Sequence, residues 1–509
     1  MDSSSLKKVT KGAFYVFIGL IVSKLLTYVY RIIVARIGAT EYGLLNIGLA
    51  VIGVVSIFCL LGFEEGLLRY ISYYKALDDK KRVTGLYKSS LKISLAISIV
   101  FAILLYYYSN SIAIFIFHNQ NLISVLKIFS IVLPFFVVYK LNLASIRALQ
   151  DIKGWTYIGN IAESAIRLIL TVVLILLGLK LFGVIIAYLL TIVFVSTISF
   201  YYLTRIVKFV KNKVSTNLTK ELVRYSWPLM FSSILIAIMA WTDTLILGYF
   251  KTASDVGVYN AALPTSTLLY IIPMALLSLF IPLLTELLAL NKRAEFRSLY
   301  DTTNRWIFFA NFPLFVLLVL FSKQILAILF GQAYINGYTA LIILSVGYVI
   351  YFAFETSNKI LNVLNKTKLV LINTAIATML NVVLNLILVP ILGINGAAIA
   401  TASSLVSTNF LAFIEVRRFA KLNPLQIIYF KSIAASVVAG FVVYLIKSLI
   451  DAQSLIAVIL LGILFLSIYL AGIALLKSFL PEDIEIIKIL QTKTGVKLNA
   501  VSNFIKRFI

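Results

Sequence analysis

Apolar windows of about twenty residues, each long enough as a helix to cross a hydrocarbon core of roughly 30 Å, recur from one end of the sequence to the other. In hydrocarbon every backbone N–H and C=O must be satisfied within the protein, which leaves only helices or closed barrels. Barrel strands would alternate apolar and polar residues over about ten positions, and these windows do not alternate. The sequence therefore predicts an all-α integral membrane fold of fourteen transmembrane helices, at approximately 12–35, 42–63, 88–108, 122–143, 155–178, 182–204, 225–248, 257–284, 305–329, 338–357, 367–390, 395–415, 428–450 and 454–477. Composition agrees: 61% of the 509 residues are hydrophobic, 13% are charged, and mean hydropathy is +1.02, far from the soluble range. Lys7, Lys8 and Lys11 precede the first span as they would a signal peptide, but the span runs too long and lacks a small-residue cleavage site, so a retained helix is expected. Cys59 is the only cysteine, which excludes an intrachain disulfide.

A net charge of +25 raises the question of nucleic acid. The positions of the cations answer it. Most lie in the two tails and in every second loop, such as 64–92 and 205–224, whereas the intervening loops hold only Arg36, Lys180, Lys251, Lys323 and Lys447. This is the positive-inside pattern, and it predicts a multi-pass protein of the cell membrane with both termini cytoplasmic. Nucleic-acid binding needs a contiguous basic face with base-contacting groups. Orientation and anionic lipid headgroups account for the charge instead, and no nucleic-acid partner is expected.

The chain also repeats itself. Glu41-x-Gly43-x-x-Asn46 after the first span and Asp255-x-Gly257-x-x-Asn260 after the seventh share an offset of 214, and Gly178…Gly183 after the fifth span matches Gly393…Gly396 after the eleventh at offsets of 215 and 213. Two matches at one spacing indicate a duplication of six spans, whose copies enter the membrane in the same sense and are related by a pseudo-two-fold axis along its normal. The organisation expected is an N-lobe at 1–213, a C-lobe at 214–424, two extra helices at 425–480, and a tail at 481–509 whose DIEIIKIL pattern suits an interfacial helix. Ligand sites of such folds lie in a cleft between the lobes, and no selectivity-filter motif suggests a channel.

The stretches KKVTKGAFYVFIGLIVSK, RIIVARIGATEYGLLNIGLAV (31–51), GFEEGLLRYIS (62–72) and WTDTLILGYFKTASDVGVYNAA (241–262) carry a family resemblance. Over essentially its full length the chain resembles the polysaccharide transporter and O-antigen flippase family of the MOP superfamily, which also contains the multidrug and toxin extrusion (MATE) antiporters and the lipid II flippases. The resemblance implies a MATE-like, V-shaped pair of six-helix lobes. It also implies a flippase that turns a lipid-linked oligosaccharide, a glycan on polyprenyl (pyro)phosphate, from the cytoplasmic to the outer leaflet by alternating access. Its partners would be that substrate, membrane lipids, and glycosyltransferases or a polymerase of the same pathway. A cation-coupled MATE-type multidrug antiporter and a lipid II-type flippase stand as alternatives.

Charges inside the spans name the candidate residues. Lys24, Tyr28 and Arg31 are spaced i, i+4, i+7 with Thr27 beside them, which makes one stripe polar. Lys24 is about twelve residues into its span, roughly 18 Å deep, and charges at such depth face water or a bundle interior. Lys24, Tyr28 and Arg31 are therefore expected to line the cleft, whereas Arg36 reads as a headgroup anchor. Glu163 and Arg167 are i, i+4 in the favourable order, suiting either a structural lock or the cleft wall. Arg69 and Arg147, at inner ends of spans, would meet phosphate bidentately or serve as ordinary anchors. The duplication sets Asp243 near the level of Arg31, so an Arg31–Asp243 contact would make an outer gate. Asp243, Glu163 and Glu355 are the candidates for gating or for coupling to H+ or Na+. The three cations Lys24, Arg31 and Arg167 against Glu163 and Asp243 favour an anionic substrate slightly. Pro264, Pro273 and Pro282 should kink the eighth span.

No catalytic constellation accompanies these residues. His118 is the only histidine, and there is no Walker loop, nucleophile elbow or metal-ligand cluster. A carrier with no cofactor and no metal is expected, not an enzyme.

Overall fold

The computed structural model describes residues 3–207, 216–424, 426–450, 453–480, 483–484 and 491, and among them there is no strand. The helices are α1 (Ser3–Ala35), α2 (Ala39–Leu60), α3 (Phe63–Ala76), α4 (Lys80–Ser111), α5 (Leu122–Ala148), α6 (Ile152–Thr156), α7 (Glu163–Leu176), α8 (Lys180–Val207), α9 (Thr216–Phe250), α10 (Ala253–Ser266), α11 (Ile271–Ala289), α12 (Arg293–Leu320), α13 (Ser322–Leu329), α14 (Tyr338–Val363), α15 (Thr367–Leu392), α16 (Ile394–Ala420), α17 (Tyr429–Leu449) and α18 (Leu455–Leu475). Among the described residues 13 helical runs are long and apolar enough to cross a membrane. They coincide with the second to fourteenth expected spans, and the first expected span coincides with α1. In the eighth, the helix tightens to a 3₁₀ turn at Thr267–Tyr270, between Pro264 and Pro273, where the missing proline N–H breaks the regular ladder.

By packing, the chain divides into Met1–Asn260 and Ala261–Ile509. This division falls later than the repeat boundary because α9 packs on α2, α3 and α4. The repeat boundary at 213 and most of the DIEIIKIL segment lie outside the described residues.

In the first unit each residue of the repeated motif has a distinct task. Asp255 accepts hydrogen bonds from the Thr252 backbone N–H (3.0 Å) and hydroxyl (2.7 Å), while Thr252 Oγ1 accepts from Asp255 N (3.2 Å), a capping box that opens α10. Glu41 occupies the same place in α2, folded against Gly38. Asn46 and Asn260 each donate to the carbonyl four residues back, at 2.7 and 3.0 Å. The glycines allow two backbones to touch. A Cβ on Gly43 would overlap the Ala253 carbonyl, and one on Gly257 would overlap the Ala39 carbonyl. Residues 39 and 253 correspond in the repeat, as do 43 and 257, so the contact is reciprocal.

A second correspondence links the interiors of the two units, each taken by itself. In the first, the Tyr87 hydroxyl donates to Asn142 Oδ1 (2.6 Å), and Asn142 Nδ2 donates to the Ser196 carbonyl (3.3 Å) and Ser199 Oγ (2.9 Å), joining α4, α5 and α8. In the second, Tyr300 meets Ser357 at 3.3 Å, and Asn409 Nδ2 donates to Glu355 Oε2 at 2.8 Å, joining α12, α14 and α16. Tyr300, Glu355 and Asn409 stand at an offset of 213 from Tyr87, Asn142 and Ser196. The polar junction is thus built twice, with a carboxylate in the second copy where the first has an amide.

In the second unit α17 and α18 pack through Ala435, Ala439 and Val443 against Leu461, Phe465 and Tyr469. Both rest on α12: the Tyr469 hydroxyl donates to the Phe309 carbonyl at 2.8 Å, and Phe308 stacks on Tyr429 with centroids 4.4 Å apart. Beyond α18, Asp483 forms a buried ion pair with Arg305 and accepts from Trp306 Nε1 (2.7 Å) and the Leu480 N–H (2.8 Å). This fixes the chain after the last span onto α12, a tie that nothing in the sequence pattern marks.

The glycine contact makes a direct prediction. Gly43→Ala and Gly257→Ala each force two helices apart and should cost about 1–3 kcal/mol, read as a lower melting temperature in detergent. Gly462→Ala, at a helical position where a Cβ meets nothing within 4 Å, should melt as the parent does.

Candidate functional site

Within the first unit a cavity of about 370 Å³ opens where α2 ends, α3 begins, α5 ends and the chain turns through α6 toward α7. Local sequence shapes its wall. Asp151 caps α6 by accepting from Gly154 N at 3.0 Å, and its other oxygen is held by the Tyr202 hydroxyl at 2.7 Å, so Trp155 stands on a fixed short helix at the cavity's edge. The next turn, Tyr157–Ala162, is π-helical. Such a turn carries one extra residue and rotates the helix beyond it. Gly159, Asn160 and Glu163 all line the cavity as a result, and the Tyr139 hydroxyl donates to the Gly159 carbonyl at 3.2 Å. Asn160 Nδ2 is buried with no hydrogen-bond partner among the described residues.

The cavity carries both signs of charge, with Lys140 and Arg147 on its α5 wall and Glu64, Glu65 and Glu163 also lining it. The Arg147 guanidinium lies 5.5 Å from the centroid of the Trp155 ring and Lys140 Nζ lies 5.4 Å from that of Phe136. Glu163 pairs with Arg167 at 2.9 Å. Arg167 also donates to Thr27 Oγ1 (3.3 Å) and covers the Tyr30 ring at 4.9 Å, while Ser23 and Ser164 meet at 2.9 Å. Glu64 opens α3, outside the spans. Burial pushes its carboxyl above the usual range and Glu65 adds to this, while the charge of Lys140 opposes it.

Of the nine residues named from sequence, Arg147 and Glu163 line this cavity, and Arg167 supports it from behind through its ion pair. The stripe of α1 that meets α7 is Ser23–Thr27–Tyr30, one position removed from Lys24–Tyr28–Arg31, so Thr27 belongs to the stripe that faces α7. Lys24 is exposed, Tyr28 and Arg31 are half-buried, and neither cation is in an ion pair among the described residues. The Arg31–Asp243 gate contact is not formed. Asp243 is buried and accepts from the Tyr259 hydroxyl at 2.5 Å, next to the bond from Asn260 Nδ2 to Thr244 Oγ1 at 3.2 Å. The short turn between α9 and α10 brings Tyr259 to that carboxylate first. Arg69 is exposed and lies over the Tyr225 ring at 4.3 Å. Glu355 is in the second unit, buried between Lys359 (3.0 Å) and Asn409. Lys140 is marked only as a charge near the inner end of the fourth expected span, whereas Trp155 and Asn160 carry no mark in the sequence pattern. A tryptophan at a span's edge looks like a belt residue, and the π turn moves Asn160 off the face that a 3.6-residue period assigns it.

Removing the Arg167 charge strands Glu163, so Arg167→Met should cost on the order of 2 kcal/mol, between the surface and fully buried limits for an ion pair. Adding Glu163→Gln should recover most of that in a thermal melt. Glu64, with its carboxyl raised in the fold, binds a proton more readily folded than unfolded. Stability from this group is therefore gained as pH falls through the window between its raised value and the ordinary carboxylate range, and lost as pH rises through it. Glu64→Gln should flatten that slope of melting temperature against pH and stabilise the protein at pH 7.

Related chains share this fold. Residues 9–288 match the family described as polysaccharide biosynthesis protein, and residues 228–387 match the family described as MatE. A probable low-salt glycan biosynthesis flippase of Haloferax volcanii is 28% identical over 53% of this chain and 59% of its own length, so the chain spans about three-fifths of that relative. The lipid II flippase MurJ in an inward closed conformation is 16% identical, with a TM-score of 0.70 over 90% of this chain and 98% of its own. An inward-facing multidrug resistance transporter of the MATE family in the MOP superfamily is 17% identical, with a TM-score of 0.65 over 78% and 94%. With a match over more than half of its length, the chain belongs to the polysaccharide biosynthesis protein family, and its fold is that of the two transporters above.

Proposed function

We propose that the protein is a carrier, not an enzyme, and that it turns a lipid-linked oligosaccharide from the cytoplasmic to the outer leaflet of the cell membrane. The glycan rides on polyprenyl (pyro)phosphate and serves synthesis of a cell-surface polysaccharide or glycan. Transport proceeds by alternating access around a partly cationic cavity, driven by H+ or Na+ or by the membrane potential. The observation that carries the reading is the cavity in the first unit, where Lys140 and Arg147 stand beside Trp155 and a buried amide donor. Cations suit the phosphate of such a substrate, and an aromatic wall with amide and carboxylate groups suits its hydroxyl-rich glycan. Family membership and the name of the Haloferax relative support the substrate class. In the positive-inside orientation the cavity lies on the cytoplasmic side, where such a substrate is made, and both termini lie there too. A cation-coupled drug antiporter is the second reading, favoured by the three carboxylates Glu64, Glu65 and Glu163.

The test is purified protein in proteoliposomes with a labelled polyprenyl-pyrophosphate oligosaccharide, movement being read by access of an external glycosidase. The wild type should move the lipid well above empty vesicles, and Lys140→Ala with Arg147→Ala should slow it at least about tenfold, the loss of one charge-assisted contact. No movement above empty vesicles, together with proton-driven uptake of an organic cation such as ethidium, would establish the antiporter instead. In cells lacking any paralogue, Lys24→Ala should abolish glycan export while leaving membrane insertion intact. Normal export by that variant removes Lys24 from the substrate path.

A further inference from the structure

We propose that this cavity is a subsite for one sugar phosphate of the headgroup, in which the Trp155 ring is the platform for the sugar, Asn160 donates to a ring hydroxyl, and Arg147 and Lys140 take the phosphate. The inference rests on the carrier reading and says which part of the substrate the cavity takes.

Size sets the first limit. A volume of about 370 Å³ is the space of about a dozen waters, at the small end of ligand sites. It accommodates a single hexose with its phosphate, and the cavity's open side leaves the rest of a longer glycan outside.

Chemistry sets the second. A pyranose presents hydroxyls at its rim and a patch of C–H bonds on its face. The C–H patch, slightly positive, is matched by the negative face of an indole. Trp155 lines the cavity and is braced before any ligand arrives. Its helix is capped by Asp151, Asp151 is held by Tyr202, and the Trp155 backbone N–H donates to the Asp151 carbonyl at 3.1 Å. Bracing of this kind removes the ordering cost from the binding step.

The third observation is independent of the ring. Asn160 Nδ2 is a buried donor with no acceptor among the described residues, in the π turn that also brings Glu163 to the wall. An unmet buried donor costs about 1–3 kcal/mol, and a small opening of this wall would let a sugar hydroxyl reach and satisfy it. Arg147 lies over the Trp155 ring, 5.5 Å from its centroid, so a sugar seated on that face requires the guanidinium to move off it toward the phosphate.

The experiment uses the full-length protein in detergent and measures binding of glucose 1-phosphate, inorganic phosphate and polyprenyl-phosphoryl-glucose by calorimetry, with melting temperature and gel-filtration profile as folding controls. Trp155→Ala should weaken glucose 1-phosphate at least about tenfold and leave inorganic phosphate unchanged. Trp155→Phe should recover most of the loss, and Arg147→Ala should weaken both ligands alike. Polyprenyl-phosphoryl-glucose should bind tighter than glucose 1-phosphate, and equal affinities would point to a free sugar phosphate and overturn the headgroup assignment. The proposal also fails if the wild type binds neither soluble probe, if Trp155→Ala binds glucose 1-phosphate normally, or if that variant loses inorganic phosphate equally. The transport assay separates this failure from that of the carrier reading: oligosaccharide movement that persists alongside normal glucose 1-phosphate binding by Trp155→Ala sinks the subsite alone.

Discussion

Inside a bilayer a polar atom has no water to turn to, and this constraint organises the molecule. Backbone groups meet it by becoming helix, and side chains meet it by finding one another across helices. Each interhelical hydrogen bond is worth only about 0.6 kcal/mol on average, so no single one holds the bundle. Their value lies in fixing which helix meets which. Asn142 binds α5 to α8, Asn409 and Glu355 bind α16 to α14, and Asp243 with Tyr259 joins α9 to α10. The cavity of the first unit is a place where the rule is left incomplete. Asn160 has a donor to spare, at the one turn of that wall whose hydrogen-bond spacing departs from the α-helix.

The sequence revealed what depends on average composition and on exact repetition. Span positions follow from hydropathy summed over twenty residues, which no single side chain can upset, and thirteen of them reappear among the described residues. The acid-x-Gly-x-x-Asn motif was visible as a repeat, while its meaning, a capping box and a helix crossing, needed coordinates. Glu163 and Arg167 were legible as a pair because four residues is a fixed distance on a helix. The rest of the site was not. A side chain's direction depends on helix phase, and a single π turn shifts phase by most of a residue. The cap at Asp151 was concealed for a different reason, since its partner Tyr202 is on another helix and no local spacing connects them.

The charges separate into two kinds. Arg167 with Glu163, Lys359 with Glu355, and Arg305 with Asp483 are compensated, the first and last of them also secluded, and each serves as a fastener. Lys140 and Arg147 line open space with no carboxylate within ion-pair distance among the described residues, and their charge is available to something that arrives. Both lie over aromatic rings of the same wall, Arg147 on Trp155 and Lys140 on Phe136, with Glu64 and Glu65 also lining the cavity.

The mutual contact of Gly43 and Gly257 ties two helix starts to each other. Each glycine makes room for the start of the other helix, so a side chain added at either one presses on the same pair of backbones. Neither side can relieve a substitution on the other, because glycine is already the smallest residue, and the two positions are therefore constrained together.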